Sequence, residues 1–334
     1  MKRIGDASVP STKLKFHQAS LARLHLSSSL RAGGIWSPTL GSFILTVFRG
    51  RGRHSGVGYP SHARKSGLVT IFQEQSKMSD ASHEDLSLAI RSVRAAASLL
   101  RGKPHGKATV DAIIGREWKV RADRDLEAVI LQVLMEGSKY PVLTEESGHR
   151  AGVGERQWLV DPLDGSANFS RGLPFYAISV GLWQGTLPLL GAVLEIPTER
   201  LFCGIVGQGA WCNDEPIWRS PEECPLPAQS IFCTGLPIGL DHSVKELQGL
   251  VEPFRRFGKT RMLGSAALML CYVASGQADS YWERQIALWD VGAALAIVQA
   301  AGGCTRIGEV GETWRLDVEA AGREELLMSE VIRR

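Results

Sequence analysis

Histidine is scarce where catalysis would need it. The chain has 8 His in 334 residues, and seven of them fall before residue 150. A mechanism centred on imidazole therefore has little to stand on. Cysteine is almost as thin. Cys203, Cys212, Cys224, Cys233, Cys271 and Cys304 contain no C-x-x-C pair and have no His at zinc spacing. That excludes a zinc centre and a disulfide scaffold, and it implies inert buried thiols in a reducing compartment. Long apolar runs are missing too. The most apolar stretch of the first segment, residues 35–48, is broken by Ser37, Pro38, Ser42 and Thr46 and is too short and polar to span a membrane.

Acidic residues are nearly absent from one segment only. Residues 1–77 hold 12 Lys and Arg against two acids, Asp6 and Glu74. The remainder has 26 basic and 33 acidic residues, so the overall charge of +3 conceals a basic leader on an acidic body. A nucleic-acid partner does not follow from that balance. The leader shows no helix or strand period and is expected to be disordered. It reads either as an organelle transit peptide or as translated sequence upstream of the true start. The second reading is favoured because Met78-Ser79-Asp80 directly precedes the first convincing helix and leaves 257 residues. The expected location is cytoplasmic, or an organelle if the leader is a transit peptide. Residues 78–334 are expected to form the catalytic domain, strand-rich to about residue 225 and alternating thereafter.

What is present is a run of fourteen residues, Asp161 to Pro174, reading D-P-L-D-G-S-A-N-F-S-R-G-L-P. Trp158-Leu159-Val160 precede it, so it reads as a buried strand ending in a rigid turn. Two carboxylates, Asp161 and Asp164, would point one way beside exposed backbone N–H groups. Carboxylates hold hard divalent cations and free amides hold anions, which suits a phosphate gripped through a metal. Three further segments place acids at element ends. Glu145-Glu146 follow the apolar run Tyr140 to Leu143. Asp123 heads a helical run with Leu126, Val129, Ile130, Val133 and Leu134 on one face. Asp290 opens the stretch Val291 to Val298, closed by Gly302-Gly303. Each has a plainer reading: Asp164-Gly165 is a common turn pair, Asp290 an ordinary N-cap, and Glu146 a solvated acid.

The periodicity predicts helices at 83–100, 243–257, 265–274 and 291–301. It predicts strands at 140–144, 157–160, 175–183, 187–195, 200–206, 230–234, 259–262 and 278–282, with a hairpin turn at Gln184-Gly185. An early helix pair, a strand-rich middle and an alternating end make a layered α/β fold.

With those residues in view the chain resembles the inositol monophosphatase family of magnesium-dependent, lithium-sensitive phosphatases. Asp161 to Phe169 match its Asp-Pro-x-Asp-Gly-Thr/Ser-x-Asn-Phe motif, and Trp289 to Gly303 its Trp-Asp helix ending in Gly-Gly. Glu145-Glu146 match its strand-end pair, and Gly264-Ser265-Ala266-Ala267 with 276–283 its substrate side. Two departures stand out: Ser166 replaces the commoner Thr, and Val120 stands where Thr is common near Asp123.

The resemblance implies an αβαβα sandwich of the sugar-phosphatase type and a homodimer. It implies two or three Mg²⁺: one held by Glu145, Asp161 and the Leu163 carbonyl, a second by Asp161, Asp164 and Asp290, and a looser third near Glu145 and Asp123. A metal-bound water would be oriented by the Ser166 hydroxyl bonded to Glu145 or Asp123, with the Gly165 and Ser166 amides on the phosphate. Asp164, Ser265, Ala266 and Glu283 would contact a small phosphorylated substrate, with inositol 1-phosphate the leading choice. Alternatives on the same fold are a 3′(2′),5′-bisphosphate nucleotidase, a histidinol-phosphatase and a fructose-1,6-bisphosphatase. A silent sugar-phosphate-binding protein is the non-enzymatic reading. The Ala167-Asn168-Phe169 run counts against the nucleotidase, whose relatives carry Lys-Glu-Phe there.

Overall fold

The computed structural model describes residues 83–101, 110–114, 117–236, 243, 247–248 and 251–328. The leader over 1–77, and residues 244–246 and 249–250 of the helix expected over 243–257, lie outside the described residues. The described residues begin with helix α1 (His83–Ser98), which buries Leu86, Ala89, Val93 and Ala96 along one face. A hairpin of β1 (Val110–Ile114) and β2 (Glu117–Val120) leads into α2 (Arg121–Gly137). Then come β3 (Val142–Thr144), β4 (Gly148–Arg150), β5 (Arg156–Asp164), the short helix α3 (Ser166–Arg171), β6 (Ala177–Gln184), β7 (Leu187–Glu195), β8 (Arg200–Ile205), β9 (Gly209–Cys212) and β10 (Glu215–Ile217). These strands form an eight-stranded sheet in the order β10-β9-β8-β7-β6-β5-β3-β4. Only β3 and β5 run parallel in it, so the C-terminal ends of those two strands carry Glu145 and Asp161 side by side.

The second half supplies β11 (Ile231–Cys233), α4 (Val251–Arg256), β12 (Lys259–Arg261), α5 (Ala266–Ala274), β13 (Ser280–Ala287), α6 (Leu288–Ala300), β14 (Cys304–Ile307) and β15 (Arg315–Ala321). Its sheet has the order β12-β11-β13-β15-β14. Three cores separate the layers. Leu126, Ile130 and Leu134 of α2 pack with Val93 of α1 on Trp158, Ile178 and Val180 of the large sheet. Leu268 and Val273 of α5 and Val291 and Leu295 of α6 fill the space between the two sheets. Phe232, Phe257, Trp282 and Met328 close the outer face of the small sheet. Helices, sheet, helices, sheet and an outer helix make the αβαβα sandwich. Helices α5 and α6 are apolar all round because a sheet covers each side of them.

The seat of α6 is a glycine groove. Gly181 of β6 stands opposite Gly191 of β7, and Gly191 opposite Gly204 of β8. A methyl group on Gly181 would sit 2.8 Å from Ala293 Cα, and one on Gly191 would overlap the Ala293 carbonyl. One on Gly204 would meet Ala300 Cβ at 2.8 Å. The missing side chains let α6 lie against the sheet and carry Asp290 down to the end of β5. At the far end of α5, Tyr272 donates to Glu195 Oε1 (2.7 Å), which ties that helix to β7.

Several elements differ from the sequence expectation. The strand of the Asp-Pro-Leu-Asp motif runs on to Asp164, with a register shift between Asp161 and Asp164 where a free turn was expected. Pairing with β6 on both sides of the irregularity keeps that segment extended. Helix α6 starts at Leu288 with Ala287 as its N-cap, so Asp290 lies inside the first turn and caps nothing. The hairpin β1–β2 and strands β4, β14 and β15 were not foreseen. All six cysteines are free, and burial pushes Cys233 up to about 12 and Cys203 up to about 11. Among the described residues no helix is long and apolar enough to cross a membrane.

The groove makes a stability prediction. Gly191→Ala forces a methyl group against backbone that cannot swing aside, and overpacking of this kind costs about 1–3 kcal/mol. Thermal unfolding should show a clear drop in Tm, and an unchanged Tm would mean that α6 is not seated as described.

Candidate active site

Carboxylates from four elements gather at the ends of β3 and β5. The Glu145 amide donates to the Val160 carbonyl (3.3 Å), which straps Glu145 beside β5 one residue before Asp161. Asp161 is 1% exposed, and its Oδ1 accepts from the Leu163 amide (2.9 Å). Asp290 reaches in from the first turn of α6. Burial, followed by the charge of Glu145 and then of Asp164, holds both Asp161 and Asp290 well above the usual carboxylate range.

Asp164 is differently placed. Its Oδ2 accepts from Ser265 Oγ (2.6 Å) and the Ala267 amide (2.8 Å), and its Oδ1 accepts from the Ala266 amide (3.3 Å). Ser265 is the N-cap of α5 and accepts from Leu268 in turn. The start of α5 is thus docked on Asp164. That uses the Ser265 hydroxyl and the Ala266 amide, which the resemblance assigned to substrate, and it leaves Asp164 Oδ1 as the less occupied oxygen.

Asp123 is the third residue of α2. Its Oδ2 accepts from the Val120 amide (2.7 Å), closing the start of the helix, and Oδ1 lies 2.9 Å from Ser166 Oγ. The same hydroxyl lies 2.9 Å from the Leu163 carbonyl. Of the two acids left open as partners of Ser166, the structure brings Asp123 to it. Gly165, with φ of +91°, is the N-cap of α3. The amides of Gly165 and Ser166 stand at the start of that helix, where N–H groups have no intrahelical acceptor. A side chain on Gly165 would run into the Phe175 and Gly264 carbonyls (2.6 and 3.1 Å).

Glu283, on β13, is buried and accepts from Tyr281 Oη (2.7 Å) and from the Gly235 amide. Burial pushes its carboxyl up to about 7, with the charge of Asp164 adding to the rise. Sequence reasoning passed over two residues that organise this region. Asn168 Nδ2 donates to the Phe175 and Leu263 carbonyls (2.7 Å each), joining the motif to the segment between β12 and α5. Glu127, one turn beyond Asp123 on the same face of α2, accepts from Thr144 and Ser147 on either side of Glu145-Glu146. Its spacing of four from Asp123 was the available signal.

Among the described residues no three His, Cys, Asp or Glu side chains stand ready-closed around one point. The donor set nevertheless fits a hard cation. It is all oxygen, and the acids are near enough to raise one another's pKa. Such mutual repulsion is what a bound divalent ion relieves.

Comparison with known proteins agrees with that chemistry. The sequence pattern of the inositol monophosphatase family matches residues 82–329. The chain is 36% identical over 212 residues to an inositol-1-monophosphatase of Rhizobium meliloti (strain 1021), covering 62% of this chain and 74% of that one. It is 32% identical over 206 residues to a fructose-1,6-bisphosphatase/inositol-1-monophosphatase of Aquifex aeolicus (strain VF5), covering 61% and 76%. The crystal structure of extragenic suppressor protein suhB from Bartonella henselae superposes with a TM-score of 0.64 at 29% identity, covering 74% of this chain and 96% of that one. Fold and site together define a phosphoric monoester hydrolase of the generally metal-dependent kind. The chain belongs to the inositol monophosphatase family.

The crowded acids predict a pH dependence. Burial first of all pushes Asp123 and Asp164, like Glu283, up to about 7. A carboxyl raised in the folded state contributes stability that is complete below its unfolded pKa of about 4 and is lost as pH rises through its folded value. In chelator, Tm should therefore fall between about pH 4 and pH 7. A divalent cation should raise Tm at the upper end of that window and have little effect at the lower end. A Tm in chelator that rises across the window would contradict the account.

Proposed function

We propose that this chain is a Mg²⁺-dependent phosphatase of inositol monophosphate, and that the Asp123–Ser166 pair beside Asp161 and Asp290 is its catalytic centre. The observation that carries the reading is the 2.9 Å approach of Ser166 Oγ to Asp123 Oδ1 across 43 residues of sequence. Glu145, Asp161 with the Leu163 carbonyl, Asp164 through Oδ1, and Asp290 would hold two ions, and Asp123 with Glu145 a looser third. When bound, Mg²⁺ supplies charge neutralisation at the phosphate and acidifies water.

The chain's own residues do the rest. Ser166 has one hydroxyl hydrogen shared between Asp123 and Leu163. As water attacks phosphorus and the ester P–O bond breaks, the water's proton passes to Ser166 Oγ while the Ser166 proton moves to Asp123 Oδ1, and the leaving inositol oxygen takes a proton from solvent water. The amides of Gly165 and Ser166 face the phosphate oxygens. Glu283, steadied by Tyr281 and Gly235, keeps lone pairs for ring hydroxyls, and Ser265 and Ala266 shape the substrate side through Asp164. A cytoplasmic homodimer completes the reading. Fructose 1,6-bisphosphate is the second substrate to test, because the Aquifex relative is named for both activities.

Phosphate release from inositol 1-phosphate, fructose 1,6-bisphosphate, histidinol phosphate and the adenosine bisphosphate, with and without Mg²⁺, tests this directly. Inositol 1-phosphate should lead, and full activity in excess chelator would defeat the metal reading. Ser166→Ala should lower kcat by about 10²–10⁴ with little change in KM, while Ser166→Thr stays near wild type. An Ala variant with unchanged kcat would remove Ser166 from the mechanism. Asp290→Asn is a cleaner ligand probe than Asp164→Asn, since Asp164 also docks α5. It should lose most activity yet, in chelator and at a pH where these acids are ionised, raise Tm by removing one repelling charge, and a lowered Tm there would count against the repulsion described. Glu283→Gln should raise KM for inositol phosphates about ten- to a hundredfold and leave simple aryl phosphates nearly unchanged. Equal losses on both would move Glu283 from recognition to support of the acidic site.

A further inference from the structure

The loop between β3 and β4 carries Glu145, and it is tethered from below by a carboxylate outside the motifs that carry the resemblance. Glu127 is 6% exposed, among the apolar residues of α2. Its Oε1 accepts from Thr144 Oγ1 (2.5 Å), the Ser147 amide (3.1 Å) and Ser147 Oγ (3.3 Å). The donors lie immediately before Glu145 and immediately after Glu146, so one oxygen pins both ends of the turn. Thr144 is itself fully buried at the end of β3. On the other side the Glu145 amide is bonded to Val160 of β5. The backbone of the turn is thus held from both sides.

A carboxylate is a poor choice here for stability alone. Its neighbours along the same face, Leu126, Ile130 and Leu134, show that an apolar side chain would fit the layer. A buried charge is also seldom better than good apolar packing. This one stands on the helix that carries Asp123 and next to Glu145 and Glu146, where further negative charge is unfavourable. What the carboxylate offers is several charge-assisted hydrogen bonds from one rigid point.

We propose that Glu127 is a positioning residue: it fixes the Thr144–Ser147 turn so that the Glu145 carboxylate is held at the ion-binding position. The proposal rests on the reading of Glu145 as a cation ligand. Helix α2 then serves the site twice. Asp123 orients the Ser166 hydroxyl, and one helical turn later Glu127 orients the Glu145 turn.

The test is calorimetric titration of Mg²⁺ into the full chain, alongside phosphate release as a function of Mg²⁺. Glu127→Ala should weaken Mg²⁺ binding about ten- to a hundredfold, the usual cost of losing a group that orients a metal ligand. Activity should recover in large part at raised Mg²⁺. Glu127→Gln keeps an acceptor oxygen at the same place and should restore most of the affinity. Should Glu127→Ala fold poorly, the Thr144→Val/Ser147→Ala double variant removes the two hydroxyl donors, leaves the Ser147 amide, and should weaken Mg²⁺ binding in the same direction by a smaller factor. Wild-type Mg²⁺ affinity in Glu127→Ala, or in the double variant, would overturn the proposal, even if Tm fell. Glu145→Gln separates the two levels. If it binds Mg²⁺ as wild type does, the ligand reading fails and the proposal with it. If it loses binding while Glu127→Ala does not, only the positioning role fails.

Discussion

Like charges held together away from water set the terms for the rest of this structure. Asp161 and Asp164 are buried, Asp290 is half-buried, and each stands within electrostatic reach of Glu145. Left to themselves such groups would separate or take up protons. The fold denies them separation by fixing the backbone beneath each one. Glu145 is strapped to β5, Asp161 to the Leu163 amide, Asp164 to the start of α5, and Asp123 to the start of α2. The glycine groove across β6, β7 and β8 is part of the same arrangement. Without it α6 would ride higher on the sheet and Asp290 would stand off from the others.

The hydrogen bonds also divide the acids by duty. Asp123 uses one oxygen to close the start of its own helix on Val120, and Asp164 uses both of its oxygens to hold the α5 N-terminus in place. Asp161 has one oxygen bonded to its own turn. The oxygens that remain face a common region at the ends of β3 and β5. The small sheet contributes Glu283 from β13, and Asn168 of the first half is bonded to the Leu263 carbonyl, between β12 and α5 of the second. The acidic centre thus belongs mostly to the large sheet and α6, and the side that meets the rest of a substrate belongs to the small sheet.

Much of this was legible in the sequence, for reasons specific to each element. Strand β7 falls on its expected bounds, because the apolar run from Leu187 to Glu195 follows a clear turn at Gln184-Gly185. Acids at the ends of apolar runs located Glu145, Asp161, Asp164 and Asp290 before any coordinates. Strand β14 was missed because its residues are only half buried and carry no alternating pattern. The partner of Ser166 was undecidable from sequence, since Asp123 lies 43 residues away and Glu145 was as good a candidate. The docking of Asp164 on Ser265 spans 101 residues, so local patterns held no trace of it, and those two residues were given separate roles. Glu127 escaped notice because its donors lie 17 and 20 residues downstream and an acid within a helix ordinarily reads as a surface charge.

The claim beneath all of this is that repelling carboxylates form a cation site. Anomalous diffraction from crystals grown with Mn²⁺, which takes the same all-oxygen ligands as Mg²⁺, reads it directly. The account predicts anomalous peaks bounded by Glu145, Asp161 and Asp290, with Asp164 Oδ1 turned towards one of them. No peak among those side chains at saturating Mn²⁺, or a peak bound only elsewhere on the molecule, would contradict it.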